Sequence, residues 1–454
     1  ERARAEEVSS FLVNLFKLSD PGENRGNQVT AREILDSGAK RLQAGLQDQP
    51  ATKAALLSTV GSVYDSLGQF QDALPLLDES LQLQAQAHDG SRVDTLLELG
   101  RARIGAGDLR AAEAPLQEAL RLAQHDAGAV SIATGHALWS LGMLRFERGQ
   151  TSEAKDLYIR SLDILEKTRA PQIDMAAVLS DLAKVYVLEQ QWLLAKQTHE
   201  RALDIDRRVL GDDHPRIAFR LQNLAIVAQN MGDLKLAEAL YLDALQRQEH
   251  AYGGRHPEIA ITKGNYGLLL QREGRLSEAE PLLRSALDIR LSLYGPGHFM
   301  VGYYRVSLAI LLHDKGDLAG SENEFRQALD IYDRSLPVNH QYRAALLMHF
   351  ARLLVDRNKS SEALAKSEES IKIWTVTSSA SNPQLALAHA VHAYALENLG
   401  KLPQAAEELH DAVPILVKAR GTDDTVVRRA QAWQKKADSN AVQTASAGVT
   451  VHHP

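Results

Sequence analysis

LGDDHPRIAFRLQNLAIVAQNMGDLKLAEALYLDALQRQEHAYGGRHP, residues 210–257, holds one complete unit of a pattern that runs through the chain. Two similar connectors, L-G-D-D-H-P (210–215) and Y-G-G-R-H-P (252–257), bracket two runs with apolar residues at helical spacing. Within the unit, Ala225 is followed by Gly232, Ala237 and Ala244 at intervals of seven, five and seven residues. A fixed internal period outranks any local prediction, because it decides the whole architecture.

Working outward, the same four columns recur nine times. The first holds Gly61, Gly100, Gly142, Ala183, Ala225, Gly267, Ala309, Ala351 and Ala393. The second holds Gly68, Gly107, Gly149, Gln190, Gly232, Gly274, Gly316, Asn358 and Gly400, at spacings of 39, 42 and 41 and then 42 five times. The third runs from Ala73 to Ala405 with Ser321 as its one serine, and the fourth from Ser80 to Ala412. Small residues let two antiparallel helices approach closely. The second column closes the first helix of each pair, where a left-handed residue is needed; Gly meets that need at least cost, Asn358 tolerates it and Gln190 less so. Leu57, Leu96, Leu138, Leu179 and Leu221 are expected in the core of the first helices. Leu81, Leu120, Leu162, Leu203, Leu245, Leu287, Leu329, Ile371 and Val413 are expected in the core of the second. A single hairpin cannot bury such a face, so neighbours must stack. The fold class is an all-helical solenoid of nine hairpins.

Composition agrees. Aromatics make up 5% of the 454 residues, prolines number 14, and strand-rich Val/Ile/Thr runs are absent. Charges of both signs are interspersed, with a net charge of -7, which gives no electrostatic footprint for nucleic acid or an anionic membrane surface. The chain has no cysteine, which excludes disulfides, thiolate metal sites and cysteine nucleophiles. No apolar run approaches the roughly 18 residues of a membrane span. There is no signal-peptide pattern, and the sequence opens on Glu1, so the chain is expected to be a piece of a longer protein.

The columns resemble the tetratricopeptide repeat, whose unit is about 34 residues and carries small residues at these offsets. The longer 42-residue spacing and the connectors, including Y-G-P-G-H-F (294–299), are similar to the kinesin light chain type. The resemblance covers residues 50–420 and implies a right-handed superhelix that binds protein or peptide, without a cofactor. Residues 21–49 and 421–438 are expected as capping helices. The first contains a T-A-R-E capping box at Thr30–Glu33; the second spans Val426 to Lys436. Residues 1–20 read as an amphipathic helix with Val8, Phe11, Leu12, Leu15 and Phe16 on one side, and 439–454 as a disordered tail.

The opening E-E-V-S-S-F-L-V-N-L-F-K-L-S-D-P (6–21), followed by R-G (25–26) and V-T-A-R-E-I-L-D (29–36), is similar to one found in bacterial Hanks-type serine/threonine kinases. There it follows a transmembrane helix and introduces a C-terminal repeat region. That resemblance implies a kinase upstream, one membrane span, and this chain as a sensor on the periplasmic face of a bacterial inner membrane. The alternative is a cytosolic adaptor or peptide receptor of kinesin-light-chain type with no kinase attached.

The chain itself shows no catalytic constellation: there is no phosphate-binding Gly-rich loop, no H-R-D or D-F-G, and no G-x-S-x-G. His199-Glu200 begins a zincin pattern but lacks the second histidine. His214, His256, His298 and His340 recur at the repeat period. Equivalent positions in neighbouring repeats lie about 10 Å apart, too far to share an ion, so these four are expected to start helices rather than bind metal. His389 and His392 replace apolar core positions of the last repeat.

The resemblance places the binding groove on the first helices. The stripe at i, i+3, i+7 and i+10 is Phe219, Gln222, Ile226 and Gln229 in repeat five, flanked by Asn223 and Asn230. In repeat six it is Ile261, Gly264, Leu268 and Gln271, flanked by Asn265 and Arg272. Gly264 is expected to let a ligand backbone approach. Asn223 and Asn265 occupy the position where such repeats bracket a peptide backbone, one amide supplying donor and acceptor; Ser307 and Asp181 hold that position in adjacent repeats. Lys184, Tyr303 and His313, with Trp139 and Phe146, complete the expected groove mouth. The expected partner is a peptide or protein, and a homodimer is a further possibility.

Overall fold

The computed structural model describes residues 31–46, 48–87, 92–422, 427–436 and 439. The expected N-terminal amphipathic helix, the Thr30 capping residue and the tail beyond 439 lie outside the described residues. Among the described residues there is no strand, and no helix is long and apolar enough to cross a membrane.

The chain divides into two compact units, Glu1–Asp233 and Leu234–Pro454. In the first, α1 (Ala31–Ala44) packs on α2 (Pro50–Ser66), which pairs with α3 (Phe70–Ala87). Three further hairpins follow: α4 (Arg92–Gly105) with α5 (Leu109–Asp126), α6 (Ile132–Glu147) with α7 (Thr151–Lys167), and α8 (Gln172–Leu188) with α9 (Trp192–Leu210). Helix α10 (Pro215–Met231) packs on α9. In the second unit α11 (Leu234–Tyr252) packs on α12 (Pro257–Arg272), which pairs with α13 (Leu276–Tyr294). Then α14 (Phe299–Asp314) pairs with α15 (Leu318–Ser335), α16 (Gln341–Asp356) with α17 (Ser360–Thr377), and α18 (Pro383–Asn398) with α19 (Leu402–Arg420). A last helix, α20, covers 427–436.

Helix α1 closes the first unit: Leu35, Ala39 and Leu42 join the core of Leu56, Leu57 and Val60, and Tyr64 donates its hydroxyl to Asp36 Oδ1 at 2.6 Å. At the other end, Val427 and Ala430 of α20 are buried and Arg429 bonds Asp356.

The small columns lie where the helices touch. A Cβ added to Gly61 would meet Leu77 Cγ at 2.8 Å, one on Gly100 would meet Leu116 Cδ2 at 2.2 Å, and one on Gly142 would meet Tyr158 Cε1 at 2.6 Å. In the second unit the same addition to Gly267 would meet Leu283 Cγ at 2.9 Å. Each knob lies sixteen residues after its small partner. Its column, Leu77, Leu116, Tyr158, His199, Tyr241, Leu283, Phe325, Ser367 and Leu409, is buried throughout. Burying one large side chain of this kind contributes about 1.5–3 kcal/mol.

This corrects the expected core of the second helices. The leucine column one turn later is only half-buried at Leu81, Leu120, Leu162, Leu329 and Ile371, although Leu203, Leu245, Leu287 and Val413 are buried. Helical side chains lean toward the N-terminus and cover the turn before their own Cα, so the residue four positions earlier reaches the small column.

The second column behaves as its chemistry requires. Gly68, Gly107, Gly149, Gly232, Gly274, Gly316 and Gly400 all have positive φ, and so do Gln190 (φ 56°) and Asn358 (φ 60°). The serines of the fourth column have a separate role: Ser80 Oγ donates to Ala54 O at 2.7 Å, Ser161 to Gly135 O at 2.7 Å and Ser370 to Ala344 O at 2.8 Å. Each bond ties a second helix to its own first helix.

A further tie joins successive repeats. In several repeats the residue directly after the third small column carries a charge that pairs with the end of the next first helix: Glu113 with Arg145 (2.7 Å), Lys155 with Glu189 (2.8 Å), Glu238 with Arg275 (2.9 Å) and Glu322 with Lys359 (2.8 Å). The hydrogen bonds from Arg145 and Arg148 hold the Glu113 carboxyl down to about 2.

Gly100→Ala should lower stability by about 1–3 kcal/mol through overpacking against Leu116, read as a fall in the thermal midpoint. Gln190→Gly should raise it by up to about 1 kcal/mol, because it removes a left-handed side chain. An unchanged midpoint in Gly100→Ala would show that the seam is not tightly packed.

Candidate functional site

Successive first helices within each unit are linked by polar side chains on one face. In the first unit Ser58 donates to Glu98 Oε2 at 2.9 Å, and Trp139 Nε1 donates to Asp181 Oδ2 at 2.7 Å. In the second, Gln271 Nε2 donates to Asp314 Oδ2 at 2.7 Å, His313 Nε2 lies 2.8 Å from Asp356 Oδ2, and Arg352 donates to Asp314 Oδ1 at 2.7 Å. Several expected groove residues therefore already hold neighbouring repeats together.

The candidates separate accordingly. In the first unit, Lys184 is exposed and paired with Asp181 at 2.9 Å, while Phe219 is half-buried with the Arg220 guanidinium 6.0 Å from its ring centroid. Asn230 donates Nδ2 to Ile226 O of its own helix at 2.8 Å, and Gln229 is half-buried. Gln222 is 4% exposed and does not present to a groove. In the second unit Leu268 and Gln271 are half-buried and Arg272 is exposed. Tyr303 stands edge-on to Tyr304 with ring centroids 5.4 Å apart, and Ser307 is 7% exposed, its hydroxyl donating to Tyr303 O at 3.3 Å. Ser307 too is therefore not a groove residue.

Gly264 corrects the stripe itself. A Cβ there would meet Tyr304 Cε1 at 2.7 Å, so the missing side chain makes room for the next first helix rather than for a ligand. Gly264 and Gln222 occupy equivalent positions one 42-residue period apart, and both are buried. The i+3 position of the stripe faces inward in both repeats.

Two candidates remain uncommitted. Asn223 in the first unit and Asn265 in the second occupy equivalent positions and are half-buried, and neither side-chain amide has a hydrogen-bond partner among the described residues. Each amide offers a donor and an acceptor in a fixed orientation.

The periodic histidines are helix caps. Nδ1 of His214, His256 and His298 accepts from the backbone N–H two residues on at 3.2 Å, and that of His340 does so at 3.1 Å. Asn382 takes the equivalent place in the last hairpin, accepting from Gln384 N–H at 2.8 Å. The sequence places these residues at helix starts, but histidine is not among the usual N-cap residues, so their capping role was missed. His256 also stacks on Tyr252 and His298 on Tyr294, with centroids 3.8 and 4.6 Å apart.

A family model described as tetratricopeptide repeat matches residues 52–125, 174–245 and 217–292, and a second of the same description matches 302–342, together about half of the chain. The Arabidopsis thaliana protein KINESIN LIGHT CHAIN-RELATED 2 is 23% identical over 239 residues, covering 51% of this chain and 36% of its own length. This chain thus spans about a third of the curated relative it matches. Among solved structures, the apo form of the quorum sensor NprR from B. thuringiensis is similar with a TM-score of 0.59 at 15% identity, covering 78% of this chain and 98% of that one. Aspartyl phosphate phosphatase F from Bacillus subtilis is similar with a TM-score of 0.53 at 12% identity, covering 82% and 95%. At these identities the two structures speak for the fold alone.

Behind the candidate face of the first unit lies a buried polar group. Arg220 donates Nε to Asp206 Oδ2 at 2.7 Å and Nη2 to Ala176 O at 3.1 Å, and burial lowers its pKa. His199, the start of the incomplete zincin pattern, is a knob residue only 2% exposed. Burial, with the charges of Arg220 and Lys184, lowers its pKa from 6.5 to about 4. Protons therefore bind the unfolded chain preferentially between those values, and stability falls as pH drops from about 6.5 toward 4. At about 1.4 kcal/mol per pH unit the loss approaches roughly 3 kcal/mol. His199→Leu, with the side chain found at four other knob positions, should remove that part of the acid sensitivity in thermal melts. Superimposable pH profiles for variant and parent would refute this assignment.

Proposed function

The chain belongs to the tetratricopeptide-repeat family, as an array of the kinesin-light-chain type, and on that premise we propose that it is a non-catalytic sensor module that binds an extended peptide or protein segment. The observation that carries this is the same feature in each unit taken by itself: a half-buried amide, Asn223 in the first and Asn265 in the second, at the equivalent first-helix position and without a hydrogen-bond partner among the described residues. An extended peptide presents an N–H and a C=O at each residue, and an oriented carboxamide satisfies one of each. Lys184, Phe219, Gln229, Asn230, Leu268, Gln271, Arg272 and Tyr303 supply the charged, polar and aromatic surroundings of those amides in their respective units. The proposal drops Gln222 and Ser307, which are buried.

The finer reading is that the parent protein is a bacterial transmembrane serine/threonine kinase, with this chain on the periplasmic side. Its support is the similarity of residues 6–36 to the segment that introduces such repeat regions. Ligand engagement, or pairing of two chains, would be transmitted through that segment to the membrane span. The second reading, a cytosolic adaptor, draws support from the similarity to the kinesin light chain-related protein. The coding sequence upstream of Glu1 separates them: about 20 apolar residues preceded by a kinase domain decide for the sensor.

Peptides selected on the protein from a random display library should lose about tenfold or more in affinity with the double substitution Asn223→Ala and Asn265→Ala, since each lost hydrogen bond is worth about 0.5–1.5 kcal/mol. The thermal midpoint should not change. Unaltered peptide affinity would move the binding site elsewhere.

A further inference from the structure

The last hairpin of the second unit contains a chemistry that the groove does not use. A pocket of about 700 Å³ opens between α17, α18 and α19, within the size range of small-ligand sites. His389 and His392, one turn apart on α18, do not fill an apolar core there. Instead both turn toward Glu408 of α19: His389 Nδ1 lies 3.0 Å from Oε2 and His392 Nδ1 lies 2.7 Å from Oε1.

One carboxylate therefore sets two imidazoles. A carboxylate oxygen only accepts, so each Nδ1 carries the proton, and Nε2 of the neutral ring is left as a lone-pair acceptor. Burial alone would raise the Glu408 pKa, but the bonds from the two rings outweigh it and hold the group below its ordinary value, ionised. His392 is 9% exposed, and its Nε2 has no hydrogen-bond partner among the described residues. The nearest acid, Glu368 Oε1 on α17, is 3.8 Å away, too far for a direct bond. A buried polar atom without a partner is costly, and the cost is recovered when a donor arrives.

What is missing is an N–H donor that can reach both atoms. Glu407 and Asp411 add further negative charge to the lining, against the single lysine Lys401, while Leu385, Leu396 and Ile415 provide an apolar wall. No group of three His, Asp or Glu among the described residues is placed to hold a metal ion. We propose that this pocket binds an alkylammonium or alkylguanidinium group, its N–H donors bridging His392 Nε2 and Glu368 Oε1 and its methylenes lying on the leucine and isoleucine wall. The site is independent of the Asn223 and Asn265 reading and stands or falls separately.

Isothermal titration of the intact chain with butylguanidinium and butylammonium should give saturable 1:1 binding, while butanol, of similar shape and uncharged, gives none. Glu368→Gln, at a half-exposed side chain that leaves the fold intact, should weaken binding about tenfold, the loss of one charge-assisted hydrogen bond. Glu407→Gln, at an exposed position, should weaken it less. An acetylated and amidated Ala-Ala-Arg-Ala-Ala peptide distinguishes the sources: binding as tight as butylguanidinium assigns the site to a basic side chain of a partner, and binding of the free cation alone assigns it to a small amine. Absence of saturable binding by either free cation, equal binding of butanol, or full affinity in Glu368→Gln would each overturn the proposal. Stoichiometric zinc binding that is lost in Glu368→Gln and excludes the organic cations would also overturn it, in favour of a metal.

Discussion

Within each unit the hairpins, apart from the one that carries Ser367, depend on one bulky side chain of the second helix seated on a small residue of the first. Where that small residue is glycine there is no room for a single added carbon, as the 2.2 Å approach of Leu116 to the Cβ that Gly100 lacks shows. This contact sets the distance between the two helices, and through it the register at which the next hairpin can stack. The left-handed residue seven positions later turns the chain so that the knob arrives over its partner. The serine and charged ties then act on a geometry that is already fixed. The knob need not be leucine: tyrosine, phenylalanine, histidine and serine all occupy it in one repeat or another.

That tolerance explains what could be read in advance and what could not. The four small columns are legible because backbone approach and positive φ restrict the choice to a few residue types. Even Gln190 and Asn358, which break the glycine column, adopt the conformation that the column demands. The knob column is not legible as a column, because packing volume can be met by side chains of unlike chemistry. The more uniform leucine column one turn later looks like the core and is only its margin. The ion pairs between repeats escape a search by residue type because their sign reverses at Lys155 and Glu189. Their signal is positional, a charge one residue after the third small column in six of the nine repeats, Leu74, Leu364 and Ala406 being the exceptions.

The candidate site follows the same division. Asn223 and Asn265 could be placed from register alone, since their role depends on the backbone they project from. Gly264 was read as an opening because a sequence does not show that Tyr304, forty residues later, lies over it. For the same reason the sequence shows His389 and His392 only as replacements at apolar core positions, since Glu408 is on the next helix and adjacent in space. Contacts between repeats are where a one-dimensional pattern carries least information.

The central claim is that the first-helix face around Asn223 in the first unit, or around Asn265 in the second, receives an extended peptide while the seam behind it stays closed. Amide hydrogen exchange with and without a display-selected peptide tests this most directly. Binding should slow exchange over 215–231 in the first unit or 257–272 in the second, and leave the second helices at 276–294 and 318–335 unchanged. Protection confined to the second helices, or spread evenly over the whole chain, would contradict it.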